Sequence, residues 1–119
     1  MGRWKWRLGA LVVLFTVAGA GQGRANFFSG NQLFAKCQVA EGSGQWSDCL
    51  GYVTAISDAM EHSVIDDFSA CVPDGVSRVQ LNAVVVRHMQ KHPEWRHYSA
   101  DSLVASALSE AFPCPKPKS

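Results

Sequence analysis

Four cysteines are the feature that most constrains how this 119-residue chain can fold. All of them lie after an N-terminal segment that is typical of an export signal, and they are Cys37, Cys49, Cys71 and Cys114. An even number of cysteines in a short exported chain indicates disulfide bonds, because oxidising compartments preserve them and small cores need cross-links. No two of them form a Cys-x-x-Cys pair, so neither a zinc ribbon nor a thioredoxin-like site is expected. The sequence therefore predicts two disulfide bonds.

The N-terminal segment predicts export. Residues 1–7 carry three cations and no acid, and residues 8–20 are uncharged and rich in Leu, Val and Ala. The run ends in Ala-Gly-Ala, the small-x-small pattern that signal peptidase accepts, so we predict a signal peptide over residues 1–20. Cleavage after Ala25 is the alternative site. A membrane anchor is the alternative interpretation, but a spanning helix needs about 20 apolar residues and this run is shorter.

The charge of the exported part argues against a nucleic-acid binder. The whole chain has a formal charge of +1, from 11 Lys and Arg against 10 Asp and Glu. Three of those cations precede the predicted cleavage site, which leaves 8 cations against 10 acids and a net charge of −2. Nucleic-acid binding calls for a basic stripe, which this sequence lacks. The remaining length suits one small domain.

Helix start signals recur three times. Ser29 and Ser77 are each followed three residues later by Gln, which matches the capping box at a helix N-terminus. Ser99 is flanked by Tyr98 and Leu103, an apolar pair that we expect to pack together as a hydrophobic staple. With the helical spacing of the apolar residues, these signals predict four helices, at about residues 30–39, 47–62, 78–91 and 100–112. Residues 84–86 are three valines that could also form a strand, but no partner strand is evident.

The predicted fold is all-α: a small four-helix up-down bundle stapled by two disulfides, after a cleaved signal peptide. In a bundle with short loops, Cys37 and Cys49 share one end, and Cys71 and Cys114 share the other. Bridged Cα atoms lie within about 7 Å of each other, whereas a 14-residue helix is about 21 Å long. We therefore predict the pairs Cys37–Cys49 and Cys71–Cys114. Other pairings require the connection at 63–71 to fold back along a helix.

The sequence contains no recognisable catalytic constellation. There is no Gly-x-Ser-x-Gly and no phosphate-binding Gly loop, and the cysteines are assigned to bridges. His88 and His92 are four residues apart and could hold a metal ion, but no third ligand is spaced to help. Cationic histidines near a helix C-terminus are favoured by the helix dipole, which is the simpler interpretation. Asp66-Asp67 is interpreted as a solvated turn. We predict no enzyme activity, no metal and no cofactor.

Five short motifs, taken in order, resemble one protein family. They are Phe27 to Leu33, Cys49 to Val53, Cys71 to Val76, Gln80-Leu81 leading to His92-Pro93-Glu94, and Ala111 to Cys114. These residues resemble the Rap/Tai family, periplasmic immunity proteins that act against type VI secretion amidase effectors. The resemblance covers residues 26–114 and implies a disulfide-bonded helical domain there. The tail at 115–119 is predicted to be disordered from its Pro and Lys content. The resemblance further implies a periplasmic protein whose partner is an amidase effector, with no membrane contact after signal cleavage. A homodimer is left open.

The partner-binding surface is predicted from residue types. An inhibitor of a cleft enzyme needs protruding anchor residues, and binding hot spots favour Trp, Tyr and Arg. The connection between the third and fourth helices, residues 91–98, holds the densest cluster of these residues after the signal, and Pro93 stiffens it. The alternative surface is the loop at 41–46, where glycines present a tryptophan. The predicted contact residues are Glu94, Trp95, Arg96 and His97, with Trp46 from the alternative loop.

A periplasmic acid-stress chaperone is the alternative function, because such proteins are also small, helical, disulfide-bonded and exported. These chaperones expose apolar surface when acid protonates their carboxylates and their dimer dissociates. A chaperone of this class is therefore expected to have acidic helices beside an apolar interface. The 10 acidic residues here are scattered along the chain. This distribution favours the inhibitor.

Overall fold

The computed structural model describes residues 28–116, so the predicted signal peptide and most of the predicted tail lie outside the described residues. It contains four helices, α1 (Gly30–Cys37), α2 (Gly44–Met60), α3 (Arg78–Lys91) and α4 (Ala100–Ala111), with a 3₁₀ turn at Pro93–Trp95. Every pair of these helices is in contact. Within residues 28–116 the only β-pairing consists of two isolated bridges. The predicted all-α four-helix fold is confirmed. Among the described helices, none combines the length and apolarity that crossing a bilayer requires.

Capping boxes define the starts of α1 and α3, as predicted. The Ser29 hydroxyl accepts from the Gln32 backbone N–H at 3.2 Å, and the Gln32 side chain accepts from the Ser29 N–H at 2.9 Å. Ser77 and Gln80 repeat this reciprocal pair at 3.1 and 2.7 Å. Each box satisfies backbone donors that lack partners at a helix start. The valines at 84–86 lie inside α3, so the helical prediction for them is correct.

The starts of α2 and α4 differ from the prediction in detail. Ser43 caps α2 by accepting from the Trp46 backbone N–H at 3.2 Å, so this helix begins at Gly44 and not at about residue 47. Trp46 therefore lies in the first helical turn and not in a loop. Ser99 is the N-cap of α4 as predicted, but its hydroxyl bonds to the Ser102 hydroxyl at 2.8 Å and caps no backbone amide.

The core lies between all four helices. Its largest fully buried apolar side chains are Leu33, Val53, Val85, Met89, Val104 and Leu108. The buried face of α4 is wide and includes Ala100 and Ala105, whereas Ala111 near the end of the helix is exposed. The reason is that α4 packs against α1, α2 and α3, so it buries more than one stripe.

Both disulfide predictions are confirmed. Cys37–Cys49 joins the end of α1 to α2, and Cys71–Cys114 joins the α2–α3 connection to the segment after α4. Their Cα–Cα distances are 5.3 and 4.9 Å. In the chain-entropy model, loops of this size stabilise the folded chain by roughly 3 and 4 kcal/mol. These amounts are substantial beside the 5–15 kcal/mol that is typical of a whole domain.

The α2–α3 connection contains a tight turn at residues 65–68. Ile65 and Phe68 exchange backbone hydrogen bonds of 3.1 and 2.8 Å. Asp66 and Asp67 between them have φ of 47° and 65°, a left-handed conformation that Asp tolerates better than most residues. The Asp66 carboxylate also accepts a hydrogen bond from the Ser102 hydroxyl of α4. The acid pair is thus a turn, as predicted, and the turn is attached to α4.

Two valines of α3 give a matched test of this packing. Val85 is 0 % exposed, whereas Val79 on the same helix is 51 % exposed. Val85→Ala should lower the free energy of unfolding by about 2–4 kcal/mol, because it leaves a cavity. Val79→Ala should change it by no more than about 0.5 kcal/mol. Urea unfolding under non-reducing conditions measures both values, and equal losses would contradict the observed orientation of α3.

Candidate functional site

The α3–α4 connection is attached to α1 through the backbone. The N–H groups of Gly30 and Asn31 donate to the carbonyls of Tyr98 and Arg96 at 2.8 and 2.7 Å. In return, the Ala100 N–H donates to the Phe28 carbonyl at 3.0 Å. The first N–H groups of a helix have no partner inside it, so the connection completes the start of α1 while α1 fixes the backbone of the connection.

Gly30 is required for this close approach. A Cβ at residue 30 would lie 2.7 Å from the Arg96 carbonyl oxygen and would also meet the Leu103 side chain. Real Cβ atoms do not approach backbone oxygens so closely. Residue 30 is buried, and a side chain here would force the connection away from α1.

The connection presents aromatic side chains to solvent. Trp95 is 36 % exposed and Tyr98 is 54 % exposed, and Glu94 and His97 are exposed as well. Tyr98 was expected to pack against Leu103 as a staple. Both residues line the same groove, but more than half of the tyrosine remains uncovered. Three of the four predicted contact residues in this connection are therefore available to a partner.

Arg96 points back toward the bundle. Its guanidinium carbon lies 4.3 Å from the centre of the Phe34 ring, a cation–π arrangement with α1. Its Nε is buried and has no hydrogen-bond partner within residues 28–116. We conclude that Arg96 joins α1 to the connection, and that it is a weaker candidate for partner contact than its neighbours.

A groove of ≈ 340 Å³ lies beside these aromatic residues. The turn at 65–68 forms one wall with Phe68, and the connection and α4 form the rest. The residues that line this aromatic groove are Phe68, Trp95, Tyr98, Ser99, Ser102, Leu103 and Ser106. Its apolar surface and its three serine hydroxyls suit a protein side chain that has an apolar body and a polar end. Sequence reasoning missed Phe68, because only the turn and the Asp66–Ser102 bond bring it to α4.

A second cluster lies at the end of α3. Its members, His88, His92 and Glu110, each offer a ligand atom within 4.8 Å of the others. No third ligand was expected for the histidine pair, and this was wrong, because packing of α3 on α4 brings the Glu110 carboxylate beside it. His88 Nδ1 lies 3.2 Å from Glu110 Oε2, and its Nε2 lies 3.4 Å from the Ser106 hydroxyl.

The environments of the two histidines differ. His88 is 6 % exposed, and burial lowers its pKa, although Glu110 acts in the opposite direction. His92 is half-buried and stacks on Trp95, with ring centres 3.8 Å apart and planes 9° from parallel. It also lies 3.2 Å from the Glu94 carboxylate, and the pKa of Glu94 is lowered by its own backbone N–H and then by His92. His92 therefore connects this cluster to the exposed tryptophan.

Trp46, the alternative contact residue, lies elsewhere. It is half-buried in the first turn of α2 and is not part of the aromatic groove. The loop before it contains Gly42 with φ of +87°, which suits a glycine. Because Trp46 is half-buried in a helix, it projects from the surface less than a loop residue was expected to do.

Comparison with known proteins identifies a family. A family model described as Rap1a immunity proteins matches residues 29–114. This range begins at the N-cap of α1 and ends at the last cysteine, so it includes all four helices and both disulfides. No curated protein and no solved structure matches the chain.

Two glycines test the attachment of the connection to α1. Gly30→Ala should lower the free energy of unfolding by about 1–3 kcal/mol, because the added methyl group overpacks the contact with Arg96 and Leu103. Gly51 is exposed within α2 and has open space around it. Gly51→Ala should instead stabilise the protein by about 0.5–1 kcal/mol, since alanine favours the helix. Equilibrium urea unfolding measures both, and a neutral or stabilising Gly30→Ala would contradict the close approach.

Proposed function

The chain belongs to the Rap1a immunity protein family, and on this basis we propose that it binds and inhibits a peptidoglycan amidase effector of a type VI secretion system in the periplasm. The family match over the entire helical bundle is the observation that carries the proposal. An immunity protein acts through a protein partner, namely a secreted effector. The amidase and the secretion system are the more specific part of the proposal, and they follow from the motif resemblance described above.

The contact surface that we propose is the exposed side of the α3–α4 connection together with the aromatic groove. Trp95 and Tyr98 are the residue types that dominate binding energies at interfaces. The backbone beneath them is held by α1 and by Pro93, so little conformational entropy remains to be lost on binding. A rigid, aromatic projection suits the cleft of an enzyme. Inhibition then consists of covering that cleft and needs no chemistry by this chain.

Two features of the chain support the proposed periplasmic location. The segment at residues 1–20 has the pattern of a cleaved signal peptide. The two disulfides persist in an oxidising compartment such as the periplasm. An amidase that cleaves peptidoglycan acts in the same compartment, so inhibitor and effector would meet there.

Protection of cells tests the function and the location together. The partner to use is a peptidoglycan amidase effector from the same genome, directed to the periplasm of a test bacterium. The full chain should prevent lysis, which is measured as culture density after induction. The chain that lacks residues 1–25 should give no protection, because it stays in a reducing compartment away from the enzyme.

An unrelated signal sequence fused to that shortened chain is the control, and it should restore protection. Lysis in the presence of the full chain would contradict the inhibitor function. Protection by the chain without any signal would contradict the periplasmic location.

A binding titration with the purified effector tests the contact surface. Trp95→Ala should weaken binding by about thirtyfold or more, the loss expected for a hot-spot residue worth about 2 kcal/mol. Trp46→Ala is the matched control, since it removes the same side chain from another surface, and it should leave the dissociation constant unchanged. Isothermal titration calorimetry measures both after an equal melting temperature has been verified. Weaker binding by Trp46→Ala, with unchanged binding by Trp95→Ala, would instead place the interface at the start of α2.

A further inference from the structure

The cluster at the end of α3 has the composition of a metal site. We propose that His88, His92 and Glu110 bind one divalent transition-metal ion of the zinc type. The proposal is independent of the effector and rests on the placement of three ligand-bearing side chains from two helices. Imidazole nitrogens with one carboxylate oxygen are a ligand set that Zn²⁺ accepts, with a further position open.

The geometry is close to that of a bound site. Histidines four residues apart lie on the same face of a helix, and Glu110 approaches that face from α4. The three ligand atoms lie within 4.8 Å of one another. Zinc–ligand bonds of about 2.0–2.2 Å place tetrahedral ligand atoms about 3.4 Å apart. A side-chain movement on the order of 1 Å therefore completes the site, and the exposed Glu110 is free to make it.

His88 is already oriented for coordination. Its Nδ1 faces Glu110, whereas its Nε2 faces the Ser106 hydroxyl at 3.4 Å. When Nε2–H donates to that hydroxyl, the lone pair of Nδ1 is directed at the cluster. Metal-binding histidines usually hold their second nitrogen in this way, which fixes both the tautomer and the ring. Burial of His88 limits it to few orientations.

His92 is held from its other side. Its ring lies flat against Trp95, and Glu94 bonds to its Nδ1 at 3.2 Å. A hydrogen-bonded carboxylate on a histidine is a common partner of metal-bound imidazole. The ring centres of His88 and His92 are 4.9 Å apart, so both rings border the same space.

Solvent and an ion can reach the cluster. A shallow groove between α3 and α4 opens beside His88 and Glu110, and Arg87 and Lys91 also line it. These two cations oppose binding of another cation, but both are exposed, and solvent and salt screen exposed charges strongly. An ordinary ion pair between His88 and Glu110 would account for two members of the cluster. That ion pair does not include His92, whose ring also borders this space.

Calorimetric titration with zinc chloride tests the site. The protein is expressed with its own N-terminal segment and without a polyhistidine tag, and it is stripped of metal with a chelator. We expect one Zn²⁺ per chain with a micromolar dissociation constant. His92→Gln and Glu110→Gln should each weaken binding at least tenfold. His97→Gln and Glu41→Gln are the matched controls, since they change exposed residues outside the cluster, and they should bind as the unchanged chain does.

A thermal measurement gives a second readout. Excess Zn²⁺ should raise the melting temperature of the unchanged chain and of both controls by several degrees, because the ion binds the folded state. It should leave the melting temperatures of His92→Gln and Glu110→Gln unchanged. No uptake of zinc below millimolar concentration would overturn the proposal. The proposal would also be overturned if either cluster variant lost less than tenfold of its affinity for zinc. A tenfold loss of zinc affinity in either control would overturn it as well.

Discussion

The backbone contact between residues 28–31 and residues 96–100 holds together the end of the bundle that carries the proposed contact surface. Helices α1 and α4 start side by side there, and each start has N–H groups with no partner inside its own helix. The carbonyls of Arg96 and Tyr98 accept two of these groups from α1, and the Phe28 carbonyl accepts one from α4. The contact is possible only because residue 30 has no side chain. It fixes a long connection that would otherwise depend on its own eight residues for order.

The two walls of the aromatic groove depend on separate long-range links. The contact with α1 positions Trp95 and Tyr98 on one wall. Phe68 on the other wall is carried by the α2–α3 connection, which is held by the Cys71–Cys114 bond and by the Cys71 N–H bonded to the Phe112 carbonyl at 2.8 Å. A domain this small buries a modest part of its surface. Covalent and backbone links therefore fix the positions of its elements, as a larger core does in a larger domain. The backbone beneath the surface proposed for the effector is therefore fixed before binding.

The sequence predicts the local features of this fold and both of its disulfides well, but it predicts the long-range side-chain contacts poorly. The capping boxes that begin at Ser29 and Ser77 each span four consecutive residues, so they can be recognised in the sequence. The predicted starts of α1 and α3 are therefore correct. The start of α2 was placed too late because Ser43 has no Gln three residues on and stands between two glycines. Phe68 joins the aromatic groove only because its turn packs on α4, and Glu110 joins the histidines only because α3 packs on α4. No spacing along the chain reveals either contact. Arg96 was predicted as a contact residue from its type alone, whereas the Phe34 ring draws it inward.

His92 links the two proposed sites, and this has a thermodynamic consequence. Its ring borders the proposed metal cluster on one side and stacks on Trp95 on the other. A metal ion that holds His92 also restricts the tryptophan, so less freedom remains to be lost when Trp95 enters a partner. Coupling between two binding events is reciprocal, so an effector that orders Trp95 would tighten metal binding by the same factor. The side chain of Trp95 supplies no ligand to the cluster. Removing it should therefore abolish this coupling while the three metal ligands remain in place.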